Sequence, residues 1–576
     1  MSETSTPTRV VYESTITAVG DQVKAFLDHG LLIFFADDSP AELHDMSVRH
    51  TATVAEEGPQ AGDTVVLGEH SMEFIAIGSV VGENLLNLGH IDIKANGQTE
   101  AKLPGDANVA KQSLPLPSPG DAFRILRAGG PSTKGEAMSY RDRLAAREAE
   151  VGRPLRVGLV GAGQMGRGFA AQMLRMPGIT LSAVLDVQRE RAEEALTQSG
   201  VTVSSAETTD RAVRAIENGE SVALGGIDEL GALPLDVVVE ATGVPDVGAR
   251  VALGSLLGGI GIATLTVESD VTVGRVMAEV ADQAGAIYSV CRGDEPVETK
   301  ILVDYARDLS LDVICAGKGK NNPLDVYATP ESLSSRATDK QMNPKMLCSF
   351  VDGSKAMIEM AALANTTGLG VSTRGMHGPP STVPTLHQTF ALKEDGGVLD
   401  KAGVVDYCTG PVAPGVFVVV RTEDPYVHHE MSYLQMGDGP YFSLYRPYHL
   451  ASIEAPLTVY EMALDHRASL TSEHWTAEVG AVTKRPLKAG EQVDGIGGSM
   501  VRGLIDDADD FARDDAVPLG VLAGARLTRD VPVDHLLTHD DVELNETSLI
   551  VRLRHLQEKT VQGSLDLDQL RSLLAT

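Results

Sequence analysis

The sequence predicts a multidomain protein with a small β-rich N-terminal domain, an α/β Rossmann dinucleotide-binding domain joined to an α+β catalytic domain, and a small β-rich C-terminal domain. Its length of 576 residues exceeds what one hydrophobic core supports. A glycine-rich turn between two apolar runs marks the Rossmann domain, and short apolar runs mark both ends of the chain. We place the domains at residues 1–126, 139–288, 289–476 and 477–576, with a Gly/Pro/Ser/Thr-containing linker at 127–138.

The charge balance argues against nucleic acid as a partner. The chain carries 48 Lys and Arg against 80 Asp and Glu, and its formal net charge of −32 repels nucleic acid and anionic membranes. Its four cysteines form no C-x-x-C pair, which is typical of a reduced compartment and argues against a thiolate metal site. The N-terminus lacks a signal-peptide pattern and no run of about 20 apolar residues is present, so we expect a cytoplasmic protein without a metal.

The N-terminal domain alternates short strands with Gly or polar turns. Strands are predicted at residues 10–20, 31–35, 64–67, 73–77 and 90–94. One short helix is predicted at 82–88, so the domain is expected to be mainly β-structure.

Two segments of this domain carry a family resemblance. PAELHDMSVRH at 40–50 and LGEHSMEFIAIGSVVGENLLNLGHIDIKANG at 67–97 resemble the glucitol/sorbitol-specific enzyme IIA component of the bacterial phosphotransferase system. The resemblance implies that His50 accepts phosphate from the phosphocarrier protein HPr and passes it toward enzyme IIB/IIC. That chemistry needs an exposed imidazole that is neutral and nucleophilic near pH 7. His70 and His90 lie in matching segments, where they either support the site or have a structural role.

The Rossmann domain begins with RVGLVGAGQMGRGFAAQMLRMPGITLSAVLD at residues 156–186. Three glycines follow its first strand in the G-x-G-x-x-G spacing. The first permits a tight turn, the second lets the backbone approach a pyrophosphate, and the third lets the helix pack on the strand. Free N–H groups at the start of the helix bind the phosphates. The turn residues expected to bind the cofactor are Gly161, Gly163, Gln164, Met165 and Gly166.

An acidic residue completes the dinucleotide pattern. Asp186 ends the second apolar strand, 20 positions after Gly166, where an acid accepts the ribose hydroxyls. Its charge would repel a 2′-phosphate, which favours NAD. Arg189 and Arg191 lie close behind and can bind such a phosphate, so NADP stays open.

Strands and helices continue to alternate after this unit. A helix is predicted at 189–198, and a buried strand at 235–240 ends in EATGVP, whose Thr242 and Gly243 are expected beside the nicotinamide. The alternation predicts a mostly parallel, doubly wound sheet.

Two lysines are the strongest candidates for chemistry. A strand at 312–317 delivers the loop GKGKNNP, which contains Lys318 and Lys320, and a helix is predicted at 352–370. Hydride transfer at a carbonyl needs a cation where alkoxide charge develops, and a phosphorylated substrate needs cations as well. One lysine can therefore polarise the carbonyl while the other holds phosphate.

Nearby polar residues extend this prediction. Asp352 or Glu295 can transfer a proton or orient a lysine, and Asp352 can also cap the helix. Asp352, Lys355 and Glu359 share one side of that helix by their spacing, and we expect Glu359 to lie on a solvated face. The predicted catalytic residues of the whole chain are His50, Lys318, Lys320, Asp352 and Lys355.

A second resemblance rests on VGLVGAGQMGRG, VVVEATGVP, CRGDEPVE, GKGKNNP and DGSKAMIEMAALANTTGL. Together these motifs resemble the homoserine-dehydrogenase-like oxidoreductases that carry a C-terminal SAF domain, a group that includes the second type of 1-deoxyxylulose 5-phosphate reductoisomerase. The resemblance covers about residues 139–557 and implies a nicotinamide-dependent redox reaction on a small polar substrate. Homoserine itself is disfavoured, because TLTVESD at 264–270 lacks the lysine that homoserine dehydrogenases carry there.

The last domain reads as short strands at 477–487 and 517–521, a flexible acidic insertion at 495–515 and a short tail helix at 566–574. It resembles a SAF domain. Upstream, the aromatic-rich segment 428–450 is expected to form strands and turns of a substrate or dimer domain.

The two halves suggest one function. We expect a phosphotransferase IIA component fused to an NAD(P)-dependent oxidoreductase that acts on a phosphorylated polyol or sugar, working as a homo-oligomer. Two alternatives stay open: an enzyme similar to 1-deoxyxylulose 5-phosphate reductoisomerase, and a regulatory protein that binds NAD and is controlled by phosphorylation of His50.

Overall fold

The computed structural model describes residues 8–55, 58–68, 70–128, 139–206, 208–228, 230–560, 565 and 567–574. The chain divides into two compact units, residues 1–137 and 138–576. Most of the predicted linker, residues 129–138, lies outside the described residues. No helix among the described ranges is long and apolar enough to cross a membrane.

The first unit is a closed eight-stranded barrel, which confirms the predicted β-rich N-terminal domain. Its strands are β1 (Thr8–Val19), β2 (Leu31–Ala36), β3 (Val48–Ala55), β4 (Thr64–Leu67), β5 (His70–Ile77), β6 (Ile91–Lys94), β7 (Asp106–Val109) and β8 (Ala122–Ala128). They follow the order β1-β3-β2-β6-β7-β5-β4-β8. Two helices, α1 (Val23–Leu27) and α2 (Val81–Leu88), connect strands. Burial alternates along strands such as β2, β4 and β6, and Phe34, Phe74 and Phe123 fill the interior.

The second unit begins with a seven-stranded parallel sheet. Its strands are β9 (Leu155–Val160), β10 (Ile179–Leu185), β11 (Val203–Ser204), β12 (Ser221–Leu224), β13 (Val237–Glu240), β14 (Gly261–Thr264) and β15 (Tyr288–Val290). Six helices precede or connect them: α3 (Tyr140–Val151), α4 (Gln164–Met173), α5 (Arg189–Gln198), α6 (Thr209–Glu217), α7 (Pro245–Leu257) and α8 (Val267–Ala284). The order β11-β12-β10-β9-β13-β14-β15 reverses direction at β9, as a doubly wound Rossmann sheet does. The predicted Rossmann domain is therefore confirmed.

A five-stranded mixed sheet with helices follows. It contains β16 (Asp312–Gly319), β17 (Gly370–Val371), β18 (Val404–Cys408), β19 (Val416–Arg421) and β20 (Tyr441–Arg446), in the order β17-β18-β16-β19-β20. Its helices are α9 (Glu295–Asp308), α10 (Ser334–Asp339), α11 (Pro344–Val351), α12 (Ser354–Thr367), α13 (Leu386–Thr389), α14 (Pro425–Tyr433) and α15 (Ala451–Leu464). The prediction of strands and turns at 428–450 is only partly right, because residues 425–433 are helical and start at a proline capped by Asp424.

The C-terminal part contains β21 (Ala477–Thr483), β22 (Val501–Asp507), α16 (Ala508–Arg513), β23 (Arg526–Leu527), β24 (Val542–Glu543), α17 (Leu549–Thr560) and α18 (Leu567–Leu574). The predicted flexible insertion at 495–515 is wrong. Strand β22 lies there and pairs antiparallel with β21, and its side chains alternate between buried and partly buried positions. Residues 519–521 form a short 3-10 turn rather than a strand. Helix α17 packs against α7 and α8, so this tail contributes to the core of the nucleotide-binding domain.

Candidate functional site

The glycine-rich turn has the geometry that a dinucleotide requires. Gly161 has a φ of +95°, and a Cβ there would lie 2.8 Å from the Ala241 backbone. A Cβ on Gly163 would meet nothing within 4 Å, so the backbone at this position borders open space. A Cβ on Gly166 would lie 1.9 Å from the Gly161 carbonyl, because helix and turn touch there. The residues therefore fit a pyrophosphate at the start of α4, where Gln164 and Met165 provide backbone N–H groups.

Asp186 stands beside this turn at the end of β10. Its Oδ2 accepts a hydrogen bond of 2.9 Å from the Ala162 backbone N–H, and its Oδ1 accepts one of 2.9 Å from Gln188. Both bonds fix the carboxylate next to the turn. Arg189 is paired with Glu193 at 3.0 Å, so one of the two arginines that left NADP open already has an acidic partner.

The EATGVP turn is held by a buried glutamate. Glu240 accepts hydrogen bonds from the Thr242 backbone N–H at 2.7 Å, from the Thr264 hydroxyl at 2.7 Å and from the Thr266 hydroxyl at 2.9 Å. The Thr266 hydroxyl in turn accepts from the Gly243 N–H at 3.0 Å. Thr242 and Gly243 are thus fixed at the carboxyl end of the parallel sheet, on the same edge as the glycine-rich turn.

A cluster of lysines and carboxylates lies at this edge. Lys318, at the end of β16, reaches Glu295 at 2.5 Å and also contacts Glu359 of α12. Burial favours the neutral amine, but the charges of these two carboxylates outweigh it and raise the pKa of Lys318 above its ordinary value. Lys318 is therefore a permanently charged group. The expectation of a solvated face for Glu359 is wrong, because its side chain is only 2% exposed.

The acidic members of the cluster differ in charge. The carboxylate oxygens of Asp294, Glu295 and Glu359 lie within 4.8 Å of one another. Burial, with the neighbouring acids, raises the pKa of Asp294 and Glu359. Burial acts in the same direction on Glu295, but the positive charge of Lys318 outweighs it and lowers the pKa of Glu295 well below its ordinary value. Glu295 is thus the carboxylate that stays ionised.

Lys355 ties this cluster to the nucleotide-binding domain. Its Nζ lies 3.1 Å from Glu268 Oε1 in the first turn of α8 and 3.9 Å from Glu359 Oε1. Burial opposes its charge, but these carboxylates and Asp294 raise the pKa of Lys355 above its ordinary value. The structure therefore places Lys355 near Glu359, the carboxylate that also contacts Lys318.

Asp352 has a different position from the one predicted. Its Oδ2 lies 2.7 Å from Lys484 Nζ of the C-terminal segment, and both side chains are almost fully buried. Its Oδ1 accepts from the Ser354 N–H at 2.8 Å at the start of α12, although Gly353, and not Asp352 as predicted, is the N-cap residue of this helix. One carboxylate oxygen of Asp352 is therefore in a buried ion pair, and the other bonds to the first residue of α12. Both contacts stabilise the fold. The prediction of a catalytic Asp352 is therefore not supported by its geometry.

Lys320 follows Lys318 by two positions and has different partners. Its Nζ donates to the backbone carbonyls of Asn322 at 2.7 Å and Phe350 at 2.6 Å. No ion pair to Lys320 occurs within the described ranges. Burial lowers the pKa of Lys320 to about 8, and the nearby charge of Lys318 adds to this effect. Lys320 is thus the lysine of the cluster that can change its protonation state near neutral pH.

His449 belongs to the site, and the sequence analysis missed it. Its Nε2 lies 3.3 Å from Glu295 Oε1, and its Nδ1 lies 3.1 Å from the Gly293 carbonyl. The side chain is 20% exposed, so one side of the ring borders solvent. Only the fold brings His449 to Glu295 across more than 150 positions, and no local motif marks it.

In the first unit, His50 is not exposed. It lies inside the barrel with 1% exposure, between the rings of Tyr12, Phe34 and Phe123. Its Nε2 bonds to the Gly89 carbonyl at 2.8 Å, and its buried Nδ1 has no partner in the described part of the chain. The expectation of an exposed imidazole is wrong for this structure. Burial lowers the pKa of His50 below its ordinary value, so the ring is neutral at pH 7, as phosphate transfer requires.

The other two histidines of that domain have distinct settings. His90 stacks on Phe35 with ring centroids 4.2 Å apart, and its Nδ1 lies 3.1 Å from the Phe34 carbonyl. His70 is exposed at the start of β5. Of the three, His70 alone presents its side chain mainly to solvent.

Comparison with known families divides the chain in the same way. Residues 11–124 match the family model described as PTS system glucitol/sorbitol-specific IIA component. Residues 293–455, which include Lys318, Lys320, Lys355 and His449, match the family model described as Oxidoreductase DRL, catalytic domain.

Individual proteins resemble either half. The glucitol/sorbitol-specific EIIA component of the Shigella flexneri PTS system is 34% identical over 101 residues, which are 18% of this chain and 82% of that protein. The solved PTS system IIA component from Enterococcus faecalis V583 is 18% identical with a TM-score of 0.18, and the match covers 20% of this chain and 99% of that chain. GenD2 from gentamicin A biosynthesis, solved in complex with NAD, is 13% identical with a TM-score of 0.30, and the match covers 55% of this chain and 88% of that chain.

Proposed function

Through its N-terminal domain the chain belongs to the glucitol/sorbitol-specific IIA family of the phosphotransferase system, and we propose that it is a bifunctional protein. In this proposal the first domain carries phosphate between HPr and enzyme IIB/IIC in the cytoplasm. The remainder is an NAD(P)-dependent oxidoreductase that acts on a phosphorylated polyol or sugar. One observation supports the oxidoreductase part of this proposal: the cluster around Lys318 lies at the same sheet edge as the open glycine-rich turn.

The cofactor proposal rests on the fit of the turn. The open space at Gly163 and the N–H groups of α4 suit a pyrophosphate, and the carboxylate of Asp186 suits ribose hydroxyls. We favour NAD over NADP, because the Asp186 carboxylate faces the turn and Arg189 is paired with Glu193. When bound, the nicotinamide supplies the hydride chemistry.

The residues of this chain would control the oxygen that gains or loses a proton. The Lys318 ammonium would stabilise negative charge on the substrate oxygen. His449, positioned by the ionised Glu295, would hold the proton that this oxygen releases or receives. Lys355 and Glu359 would keep Lys318 in position through the shared carboxylate network.

For the N-terminal domain we propose that His50 accepts the phosphate. Its neutral imidazole and its place in the family segment support this role. Its burial means that the Gly89 contact must open before a partner protein reaches the ring. Phosphate labelling of separate His50, His70 and His90 variants tests this assignment.

We also propose that the β-rich part of residues 477–576 is a SAF-like domain that supports the site without taking part in chemistry. The buried contact of Lys484 with Asp352 supports this role, because it fixes the start of α12 from which Lys355 and Glu359 project. We also propose that the protein is a homo-oligomer.

The test is a nicotinamide absorbance assay on the full chain. We expect reduction of NAD⁺ with hexitol or pentitol phosphates, and oxidation of NADH with the matching ketose phosphates. Lys318→Met should abolish turnover, whereas Arg307→Gln, a charge change on the exposed end of α9, should not. Turnover with deoxyxylulose phosphate alone would replace the proposal by the reductoisomerase alternative. Tight NADH binding without turnover on any of these compounds would instead favour the regulatory alternative.

A further inference from the structure

The described part of the chain contains three buried lysines, and one of them lacks an acidic partner. Lys318 faces Glu295 and Glu359, and Lys484 faces Asp352. Lys320 is only 7% exposed, yet it has no carboxylate at ion-pair distance among the described residues. Burying a charge without a counter-charge is costly. The fold therefore maintains at this position a positive charge that its own carboxylates do not neutralise.

The hydrogen bonds of Lys320 leave donor capacity free. An ammonium group has three N–H donors, and two of them are used by the carbonyls of Asn322 and Phe350. Both carbonyls are neutral, so they orient the ammonium and do not cancel its charge. The third donor has no acceptor among the described residues.

A second cation meets Lys320 at the same asparagine. Arg336 of α10 donates to the side-chain oxygen of Asn322, whose backbone carbonyl binds Lys320. Arg336 is half-buried, and it too lacks an ion pair within the described ranges. A guanidinium has five donors in a planar fork, and a single contact leaves most of them free. The two positive groups are close enough for the charge of Arg336 to lower the pKa of Lys320, together with burial and Lys318.

These observations describe a site that attracts an anion. Two cations share one asparagine, several of their donors are unused, and the acidic residues of the cluster are bound to Lys318 and Lys355 instead. A phosphate monoester carries a charge of about −1.5 to −2 near pH 7 and offers three acceptor oxygens, which matches two cations with free donors. A carboxylate would neutralise only one of them.

We propose that Lys320 and Arg336 form the subsite for the phosphoryl group of the substrate, while Lys318 acts at the oxygen that is oxidised or reduced. This inference rests on the proposed oxidoreductase function and assigns the two residues that bind the phosphoryl group of its phosphorylated substrate. Lys318 lies in β16, and Lys320 follows the last residue of that strand, where its N–H pairs with the Cys408 carbonyl at 2.7 Å. In extended backbone, side chains two positions apart lie on the same face with Cα atoms roughly 6.6 Å apart.

The experiment uses the full chain with inorganic phosphate as the probe, so it does not depend on turnover. Lysines are labelled at ¹³Cε by isotope incorporation during expression, which leaves the ammonium intact, and the Lys320 signal is assigned with Lys320→Arg. We expect saturating phosphate to move the Lys320 titration from about pH 8 upward by about one pH unit, because a bound anion favours the charged amine. The charged groups that face Lys320 are Lys318, Arg336, Asp352 and Glu359. All four are present with and without phosphate, so the two titrations differ only in the added anion.

Two variants make the result decisive. Arg336→Gln should raise the free titration point of Lys320, since a repelling charge is lost, and should weaken phosphate binding about tenfold or more. Arg336→Lys should retain most of the binding, and Arg307→Gln should behave as the unmodified protein. The subsite would be overturned if phosphate did not change the Lys320 titration, or if Arg336→Gln bound phosphate as tightly as the unmodified protein. If the subsite responds as expected but no phosphorylated polyol or sugar is turned over, the subsite stands and the proposed oxidoreductase function fails.

Discussion

At the scale of single residues, Lys318 contributes to the stability of the fold as well as to the proposed chemistry. Its ammonium is the counter-charge for Glu295 and for Glu359, and both carboxylates are nearly inaccessible to solvent. Removing one member of a buried ion pair leaves an uncompensated charge. A loss of activity in a Lys318 variant must therefore be measured together with stability.

We predict that Lys318→Met lowers the free energy of unfolding by about 3–5 kcal/mol at pH 7.5. Without the ammonium, burial raises the folded-state pKa of Glu359 further above its value in the unfolded chain, and the pKa of Glu295 is no longer held below that value. A carboxyl with a raised folded-state pKa stabilises the fold as the pH decreases, so the deficit relative to the unmodified protein should be smaller at pH 5. Urea unfolding at both pH values measures this difference.

The matched control is the double variant Lys318→Met with Glu359→Gln. It removes one of the two unpaired carboxylates, so part of the stability should return. A deficit that is the same at pH 5 and pH 7.5, and that the second substitution does not reduce, would contradict a buried charge as its cause.

The His50 ring is neutral, as phosphate transfer requires, but it is buried inside the barrel. We predict that His50→Gln abolishes labelling by phosphoenolpyruvate, enzyme I and HPr, while His70→Gln and His90→Gln retain it. The reason is that His50 alone occupies the position implied by the family segment and is neutral through burial. Labelled phosphate is counted on the intact protein, with circular dichroism to confirm folding. Labelling that persists in His50→Gln but disappears in His70→Gln would move the site to the exposed ring of β5.

At the scale of elements, the glycines of the turn before α4 have different roles, one in cofactor binding and one in packing. The second glycine borders open space, whereas the third touches the Gly161 carbonyl. We predict that Gly163→Ala leaves the melting temperature nearly unchanged but weakens NADH binding at least about tenfold, because its methyl group occupies the path of the pyrophosphate. Gly166→Ala should instead destabilise the protein by about 1–3 kcal/mol through overpacking. Thermal unfolding and NADH fluorescence measure the two effects.

Gly254→Ala in α7 is the matched control, since its Cβ would also meet nothing within 4 Å. It should change neither NADH affinity nor packing. Normal NADH affinity in Gly163→Ala would mean that the cofactor does not approach this turn.

The same element shows why part of the site was predictable from sequence. The glycine-rich turn and the acid after β10 are local, so spacing along the chain determines their positions in space. The second strand-to-loop unit, β16 with Lys318 and Lys320, was recognisable for the same reason.

Long-range contacts were not predictable in this way. Glu359 carries the helical spacing of an exposed residue, and only the packing of α12 between other elements buries it against Lys318. Arg336 and His449 reach the site from distant segments and have no motif of their own. Residues 495–515 are acidic, and that composition masked the apolar face of β22. Asp352 looked available because its partner Lys484 lies 132 positions away.

At the scale of the whole molecule, each compact unit has a hydrophobic core of its own. The barrel core includes Phe34 and Phe123, and the second unit has cores around its two sheets. Units with separate cores usually unfold and function independently unless a large apolar interface joins them. A bifunctional protein with two independent activities is compatible with separate cores, whereas the regulatory alternative requires the state of His50 to control the oxidoreductase.

We therefore predict that the two activities are independent. Residues 1–137, expressed alone, should be labelled by HPr at the rate of the full chain, and residues 138–576 should retain NADH affinity and turnover. Complete phosphorylation of the full chain should change turnover by less than about twofold, since additivity holds for sites that share no partners. The rate of absorbance change before and after labelling is the measurement, with His50→Gln treated identically as the control. A several-fold change that occurs only in the labelled, unmodified protein would show coupling between the units and revive the regulatory alternative.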